Sequence, residues 1–217
     1  VASTVPPTTI PATTTTEAPK ATYPLTGLVV TDPAIAARPA MIAKVGNYDA
    51  HPQTGLNEGD IVFEELINDH ITRFAIVYHS QAPTDLVGPI RSGRRQDVDL
   101  LTSLNHPVLA WAGGNAYVTN DIIDSELVNM SQTYCNGACM RINFDKAPYN
   151  LYFDIPKAWT VMPEGGQTPP PQFQYRGAAD TLQGTPAAGV DLTIDAYKLG
   201  WTWNAATAKY ERTQNKK

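Results

Sequence analysis

The segment 88–95 carries three arginines in a Gly-Pro-Ile-Arg-Ser-Gly-Arg-Arg stretch. The apolar spacing of Val98, Leu101 and Leu104 predicts an amphipathic helix that begins near Ser92 and places the arginines in its first turn. Guanidinium groups, backbone N–H groups and the helix dipole all favour an anion at such a terminus. We therefore predict an anion site, for a carboxylate or a phosphate, whose binding residues include Arg73, Arg91 and Arg94.

An alternative interpretation of the same arginines is purely structural. Bidentate pairs between Arg and the carboxylates of its own chain are common in folded proteins. Five acidic residues stand close enough in the sequence to supply them, namely Asp60, Glu64, Glu65, Asp97 and Asp99. The placement of the guanidinium groups separates the two interpretations, because convergence on an open cleft favours a site and mutual pairing favours structure.

A second candidate is Gly113-Gly114-Asn115, which follows an apolar run that ends at Ala112. Loops at the ends of strands often line ligand crevices in α/β sheets, and paired glycines allow a close backbone approach. We predict that Gly113, Gly114 and Asn115 line the same cleft as the arginines, together with Asn150. A tight strand-to-helix turn is the alternative, since no nucleotide-binding fingerprint is present.

Carboxylates supply the only candidates for catalysis. Glu64 and Glu65 are adjacent, so they point to opposite faces of a strand and cannot serve one acid/base site together. One of them is expected to pair with Arg73 or Arg91. A hydrolase or transferase would use Glu64 or Asp97 as acid/base beside the arginines. The chain has neither a nucleophile elbow nor an H-E-x-x-H motif, so a non-enzymatic role is preferred.

The two cysteines, Cys135 and Cys139, flank Asn136-Gly137, a dipeptide typical of tight turns. We predict a disulfide that closes a small loop, with two free thiols as the alternative. The four histidines show no metal-ligand spacing, so neither a metal nor another cofactor is expected.

The first 22 residues hold eight Thr and four Pro but no aromatic residue, a composition typical of a disordered linker or stalk. The remaining stretch, 23–217, is long enough for one domain. The net charge of −5 argues against nucleic acid as a partner, and no apolar stretch is long enough to cross a bilayer. The stalk and the disulfide favour an extracellular, cell-surface or membrane-anchored location, with any membrane contact made through an N-terminal anchor or signal that has been removed.

Hydrophobic patterning predicts strands interleaved with a few helices, hence a mixed α/β (α+β) domain in which helices pack on a β-sheet in layers. Buried strands are predicted at 40–45, 60–66, 72–78 and 107–112, and a further strand is predicted at 190–194. Trp201 to Trp203 and Tyr210 to Arg212 flank a turn and predict a hairpin with at least one Trp exposed. Helices are expected from Ser92, through 117–123 and from Ile155.

The same motifs resemble the YerB-like bacterial lipoprotein family, whose N-terminal domain has no known function. The matching segments form an ordered series over residues 24–212, at 38–39, 52–56, 60–64, 71–74, 88–94, 113–115 and 148–152. The resemblance implies an exported, often lipid-anchored protein with a layered α/β fold, and a C-terminal β-rich region that this chain is expected to lack. Tyr149 and His51 stand where the family usually has His and Arg, so an activity that depended on that imidazole base should be absent here.

These observations together favour a ligand-binding or scaffolding module of the cell envelope. Its expected partner is an envelope ligand, either an anionic cell-wall fragment or an envelope protein.

Overall fold

The computed structural model describes residues 20–48, 50, 52–177, 179–181, 183–195 and 197–216. Most of the predicted linker therefore lies outside the described residues. Ala21 and Thr22 do not, because Ala21 accepts a backbone hydrogen bond from Val30 and Thr22 pairs with Val29. Backbone pairing in the described residues thus includes Ala21 and Thr22, and the boundary at residue 23 stays a prediction.

The chain forms ten strands and four α-helices in the described residues, in a mixed α+β arrangement as predicted. The helices are α1 (Pro33–Ala37), α2 (Gln96–Leu101), α3 (Ala116–Ile123) and α4 (Ile155–Val161). The strands are β1 (Met41–Gly46), β2 (Ile61–Leu66), β3 (Thr72–Tyr78), β4 (Val108–Trp111), β5 (Val128–Ser131), β6 (Cys139–Arg141), β7 (Leu151–Phe153), β8 (Gly189–Ile194), β9 (Tyr197–Asn204) and β10 (Lys209–Lys216). None of these described helices is long and apolar enough to cross a membrane.

A five-stranded sheet in the order β2-β3-β1-β4-β5 forms the centre of the fold. The β2, β3 and β1 strands pair antiparallel, whereas β1-β4 and β4-β5 are parallel. Every residue of β1, β3 and β4 is buried, which explains why their sequences read as continuous apolar runs.

Both faces of this sheet are covered. On one face, α2 and α3 pack through Leu101 and Ile122 against Ile42 and Trp111. The opposite face, around Met41, Val45, Phe74 and Val108, is covered by β7, by α4 and by the cysteine loop; Phe153, Ile155 and Ala138 contribute to that cluster. The layered sandwich expected from the sequence is present, with one apolar core on each side of the sheet.

The loop before α2 is inserted between two parallel strands. The β1-β4 pairing extends only from Met41–Val108 to Ala43–Ala110. Beyond it, Arg91 donates its backbone N–H to Lys44 O at 2.8 Å and accepts from Ala112 N at 3.0 Å. The residues after Arg91 are therefore extended, and α2 begins at Gln96 rather than at the predicted Ser92.

A separate three-stranded sheet, β10-β9-β8, contains the predicted hairpin. Tyr197 and Leu199 on β9 are buried. Further along the same face, Trp203 is 43% exposed and packs edge-on against Tyr210, whereas Trp201 is half-buried. The exposed Trp expected from the sequence is Trp203.

The cysteine loop forms a turn in which Asn136 and Gly137 both have positive φ angles, 49° and 80°. Ala138 N donates to Cys135 O, and Cys135 and Cys139 are joined by a disulfide. Sequence patterning did not predict the neighbouring strands β5 and β6, which are short and rich in polar residues.

We predict that Gly55→Ala lowers the free energy of unfolding by about 3 kcal/mol, from backbone strain and overpacking together. Gly55 has φ 87°, and a Cβ there would lie 2.6 Å from the Tyr78 hydroxyl and from Val87 Cγ2. Gly184→Ala is the matched control, because its φ is 114° and nothing lies within 4 Å of the added Cβ. Urea unfolding that shows equal losses for the two variants would contradict the packing argument.

We also predict that His79 makes the fold acid-sensitive. The ring is fully buried, and burial lowers the pKa of His79 from its usual 6.5. As the pH falls below about 6.5, His79 binds a proton in the unfolded chain but stays neutral in the folded chain. The free energy of unfolding therefore decreases. His79→Phe should flatten this dependence in urea titrations at several pH values. His106→Phe, at a half-buried position, should leave it in place.

Candidate functional site

A buried lysine organises the end of β1. Lys44 is fully buried, and its Nζ lies 2.6 Å from Oδ1 of Asp97 and contacts Oε1 of Glu65. The other oxygen of Asp97 accepts the backbone N–H of Arg94 at 2.7 Å. The carboxylate at the start of α2 is thus that of Asp97, and the binding of an external anion by Arg73, Arg91 and Arg94 stays a prediction.

The arginines gather beside this lysine. Arg73 is opposite Gly46 in the β1-β3 register and donates to Ser92 O. Only 7% of Arg73 is exposed, and burial together with the positive charges of Arg94 and Arg91 lowers its pKa to about 9. The ion pairs found in the described part of the chain include neither Arg73 nor Arg91. Neither guanidinium therefore has a carboxylate oxygen within 4.0 Å in the described residues, although Glu65 is the cross-strand neighbour of Arg73.

We define the arginine cluster as Arg73, Arg91 and Arg94. Tyr149 lies on one side of it. The guanidinium of Arg91 lies over the Tyr149 ring, 4.5 Å from its centroid, and donates to Pro148 O at 2.9 Å. Burial lowers the pKa of Arg91, and hydrogen bonding to Tyr149 partly offsets this shift. Tyr149 is thus in direct contact with the cluster.

An open cavity of about 770 Å³ lies on the other side of the same loop. Its lining includes Arg94, Gly113, Gly114 and Asn115, with Asn68 from the turn after β2, but not Arg73, Arg91 or Asn150. Arg94 donates to Oδ1 of Asn68 at 2.7 Å, and Asn115 accepts the Val118 N–H to cap α3. Arg94 is therefore the residue that the cavity shares with the arginine cluster.

Two predicted residues lie elsewhere. Asn150 is used within the β6-β7 turn, where its side chain accepts from Arg141 and donates to Ile142 O. Glu64 faces the opposite side of the sheet from Glu65. Its carboxylate accepts hydrogen bonds from Nε and Nη2 of Arg212, the shorter ones at 2.8 Å. Glu65 is the cross-strand neighbour of Arg73, but its carboxylate contacts Lys44, and the carboxylate of Glu64 pairs with Arg212.

The carboxylates proposed for acid/base chemistry are both engaged. Asp97 is fully buried against Lys44, and the side chain of Glu64 is 10% exposed and bound to Arg212 and Thr72. Neither opens onto the cavity. Across the described residues, no cluster of His, Cys, Asp and Glu side chains could hold a metal ion.

Comparison with known proteins defines the family. Residues 25–168 match the model described as "Protein of unknown function (DUF3048) N-terminal domain". The chain belongs to this family. The resemblance found in the sequence motifs is thereby confirmed, and the DUF3048 region contains the five-stranded sheet and the arginine cluster.

Two comparisons relate this DUF3048 chain to Bacillus subtilis. It is 32% identical over 143 residues to the protein named "Putative lipoprotein YerB" of strain 168, covering 62% of this chain and 40% of that protein. The crystal structure of the YerB protein superposes with a TM-score of 0.69 at 26% identity, covering 90% of this chain and 67% of that chain. The chain therefore spans about two fifths of this curated relative's length.

We predict that Glu64 is structural. Replacing one partner of a largely buried pair leaves the other charge uncompensated, so Glu64→Gln and Arg212→Met should each lower the free energy of unfolding by about 2 kcal/mol. The double variant should lose less than the sum, with a coupling of about 1 kcal/mol or more. Additive losses in urea unfolding would show that the pair does not interact.

Proposed function

We propose that this domain is a non-enzymatic ligand-binding module of the bacterial cell envelope, and that it holds an anionic group of its ligand at the arginine cluster. The observation that carries the proposal is the pairing state of Arg73 and Arg91, which lie close together with no carboxylate at salt-bridge distance in the described residues. A largely buried guanidinium normally has a carboxylate or phosphate partner. A ligand anion would supply it.

The surroundings support a ligand that extends beyond its anionic group. Arg94 connects the cluster to the 770 Å³ cavity, so an anion bound by the arginines leaves room for a larger body there. Gly113 tolerates this approach, because nothing lies within 4 Å of where its side chain would begin. Tyr149 adds an aromatic surface beside Arg91. This combination of few charged groups and an adjoining concave surface is typical of small-molecule sites.

The envelope location follows by inference from the relative. The similar Bacillus subtilis protein carries the name of a lipoprotein, and a Thr/Pro-rich segment precedes the domain in this chain. We infer a protein that is exported and held at the membrane or the cell surface. An anionic fragment of the cell wall is then the preferred ligand class, and an acidic segment of an envelope protein is the alternative.

We predict that inorganic phosphate raises the melting temperature of the protein, and that Arg91→Gln/Arg94→Gln removes most of this shift. A ligand that binds only the folded state at 100 times its Kd adds about 2.7 kcal/mol of stability. The measurement is thermal unfolding with phosphate, against sodium chloride of equal ionic strength.

Arg176→Gln is the matched control, since Arg176 is exposed and lies outside the lining of the cavity. It should keep the phosphate shift of the original protein. If the double variant keeps that shift as well, or if phosphate stabilises the original protein no more than chloride does, the arginine cluster is not an anion site.

A further inference from the structure

The charges around Lys44 are enclosed on every side. Lys44 and Asp97 have fully buried side chains, and that of Glu65 is 8% exposed. Lys44 Nζ contacts Glu65 Oε1 and lies 2.6 Å from Asp97 Oδ1. One amine and two carboxylates thus meet in a space that bulk water scarcely reaches, and no role in ligand binding accounts for this triad.

The two carboxylates differ in how well their charges are stabilised. Asp97 accepts hydrogen bonds from the Arg94 backbone and from Lys44. Both oxygens of Glu65 are buried without a hydrogen-bond partner in the described structure, and its carboxylate contacts Lys44 on the face that it shares with its cross-strand neighbour Arg73. A buried carboxylate without hydrogen bonds is costly, and conversion to a neutral group would remove that cost.

We propose that Lys44 and Glu65 condense into an intramolecular amide bond, with Asp97 as the catalytic proton carrier. The ammonium of Lys44 gives a proton to Asp97, and the free amine attacks Cδ of Glu65. The C–N bond forms, a C–O bond of the carboxylate breaks, and the oxygen leaves as water after taking up the proton held by Asp97 and the second amine proton. Ammonium and carboxylate thus become amide and water, with no net change in charge and no other reactant.

The position of each group favours this step. Burial lowers the pKa of Lys44 to about 8, opposed by Asp97, while the nearby charges of Arg73 and Arg94 lower it further. The amine is therefore closer to its nucleophilic neutral form than an exposed lysine would be. Asp97 touches the amine and can take its proton. Fixed neighbouring reactants also react as if present at very high concentration.

The environment also favours the product over the reactants. In water an ammonium and a carboxylate are both strongly hydrated, which holds the equilibrium on the side of the separate ions. In this enclosed space neither ion keeps its hydration, whereas a neutral amide needs far less solvation. The released water can leave through the small exposed fraction at Glu65.

The bond would link the edge strand β2 covalently to β1 in the central sheet. Lys44 lies on β1 and Glu65 on β2, and these strands flank β3 on either side. An amide between them would span β3 and close the chain from residue 44 to residue 65. Such a link constrains the unfolded chain as a disulfide does. It would secure β2, which is otherwise held in the sheet only by β3.

The test is the intact mass of the purified full chain, measured after denaturation and reduction of the disulfide. We expect a mass one water molecule below that of the sequence, and a proteolytic fragment in which the peptide of Lys44 is joined to that of Glu65. A mass equal to the sequence mass would overturn the proposal. A fragment that joins Lys44 to Asp97 would overturn the assignment of Glu65.

Two variants and one control test the mechanism. Lys44→Met should have its full sequence mass because it lacks the amine. Asp97→Asn should also have its full sequence mass, because it lacks the proton carrier. Lys198→Met removes an exposed lysine on β9 and should keep the loss of water. Loss of water in Asp97→Asn would show that Asp97 is not the proton carrier. Because the mass of the unmodified chain decides the main claim, poor folding of a variant leaves that claim testable.

Discussion

The structure depends on how a lysine in the middle of a buried strand is neutralised. Lys44 lies on β1, a strand that is covered on both faces of the sheet, and its side chain is fully buried. Its charge must therefore be compensated by carboxylates within hydrogen-bond distance. Asp97 meets it from α2, and this contact fixes where α2 begins. The residues before α2 are consequently drawn into the gap between β1 and β4, where Arg91 completes the backbone hydrogen bonding of both strands. The placement of the arginine cluster follows from the burial of one lysine.

The sheet also places the two glutamates of β2 on opposite faces, where each has a different partner. Because side chains alternate along β2, Glu65 joins Lys44 on one face while Glu64 joins Arg212 on the other. Each acidic group near the arginines is therefore committed to an internal partner, and Arg73 and Arg91 are left without one in the described structure. Within the described residues, the cluster therefore offers positive charge that the proposed ligand anion would meet.

The sequence predicted the strands that are buried on both faces to within about a residue, because β1, β3 and β4 are continuous apolar runs. It missed β5, where Val128-Asn129-Met130-Ser131 is short and half polar and pairs in parallel with β4, some twenty residues earlier in the chain. It misplaced the start of α2, since periodicity does not reveal that Asp97 binds Lys44. A signal was available: a lysine inside an apolar run requires a buried carboxylate, and its placement could have pointed to Asp97. Which arginines would lack a carboxylate depended on packing between distant segments, which local patterns do not encode.

The anion site and the proposed amide bond are neighbours, because Asp97 binds both the amine of Lys44 and the backbone N–H of Arg94. Condensation consumes one positive and one negative charge, so the net charge beside the arginines stays the same. What changes is the partner of Asp97, which loses the ammonium of Lys44 and keeps the Arg94 N–H. Its charge is then compensated more by Arg73, whose field already reaches it. A ligand anion would therefore depend more on Arg91 and Arg94 than on Arg73, and the side chains that face the loop and the cavity would contribute most to recognition.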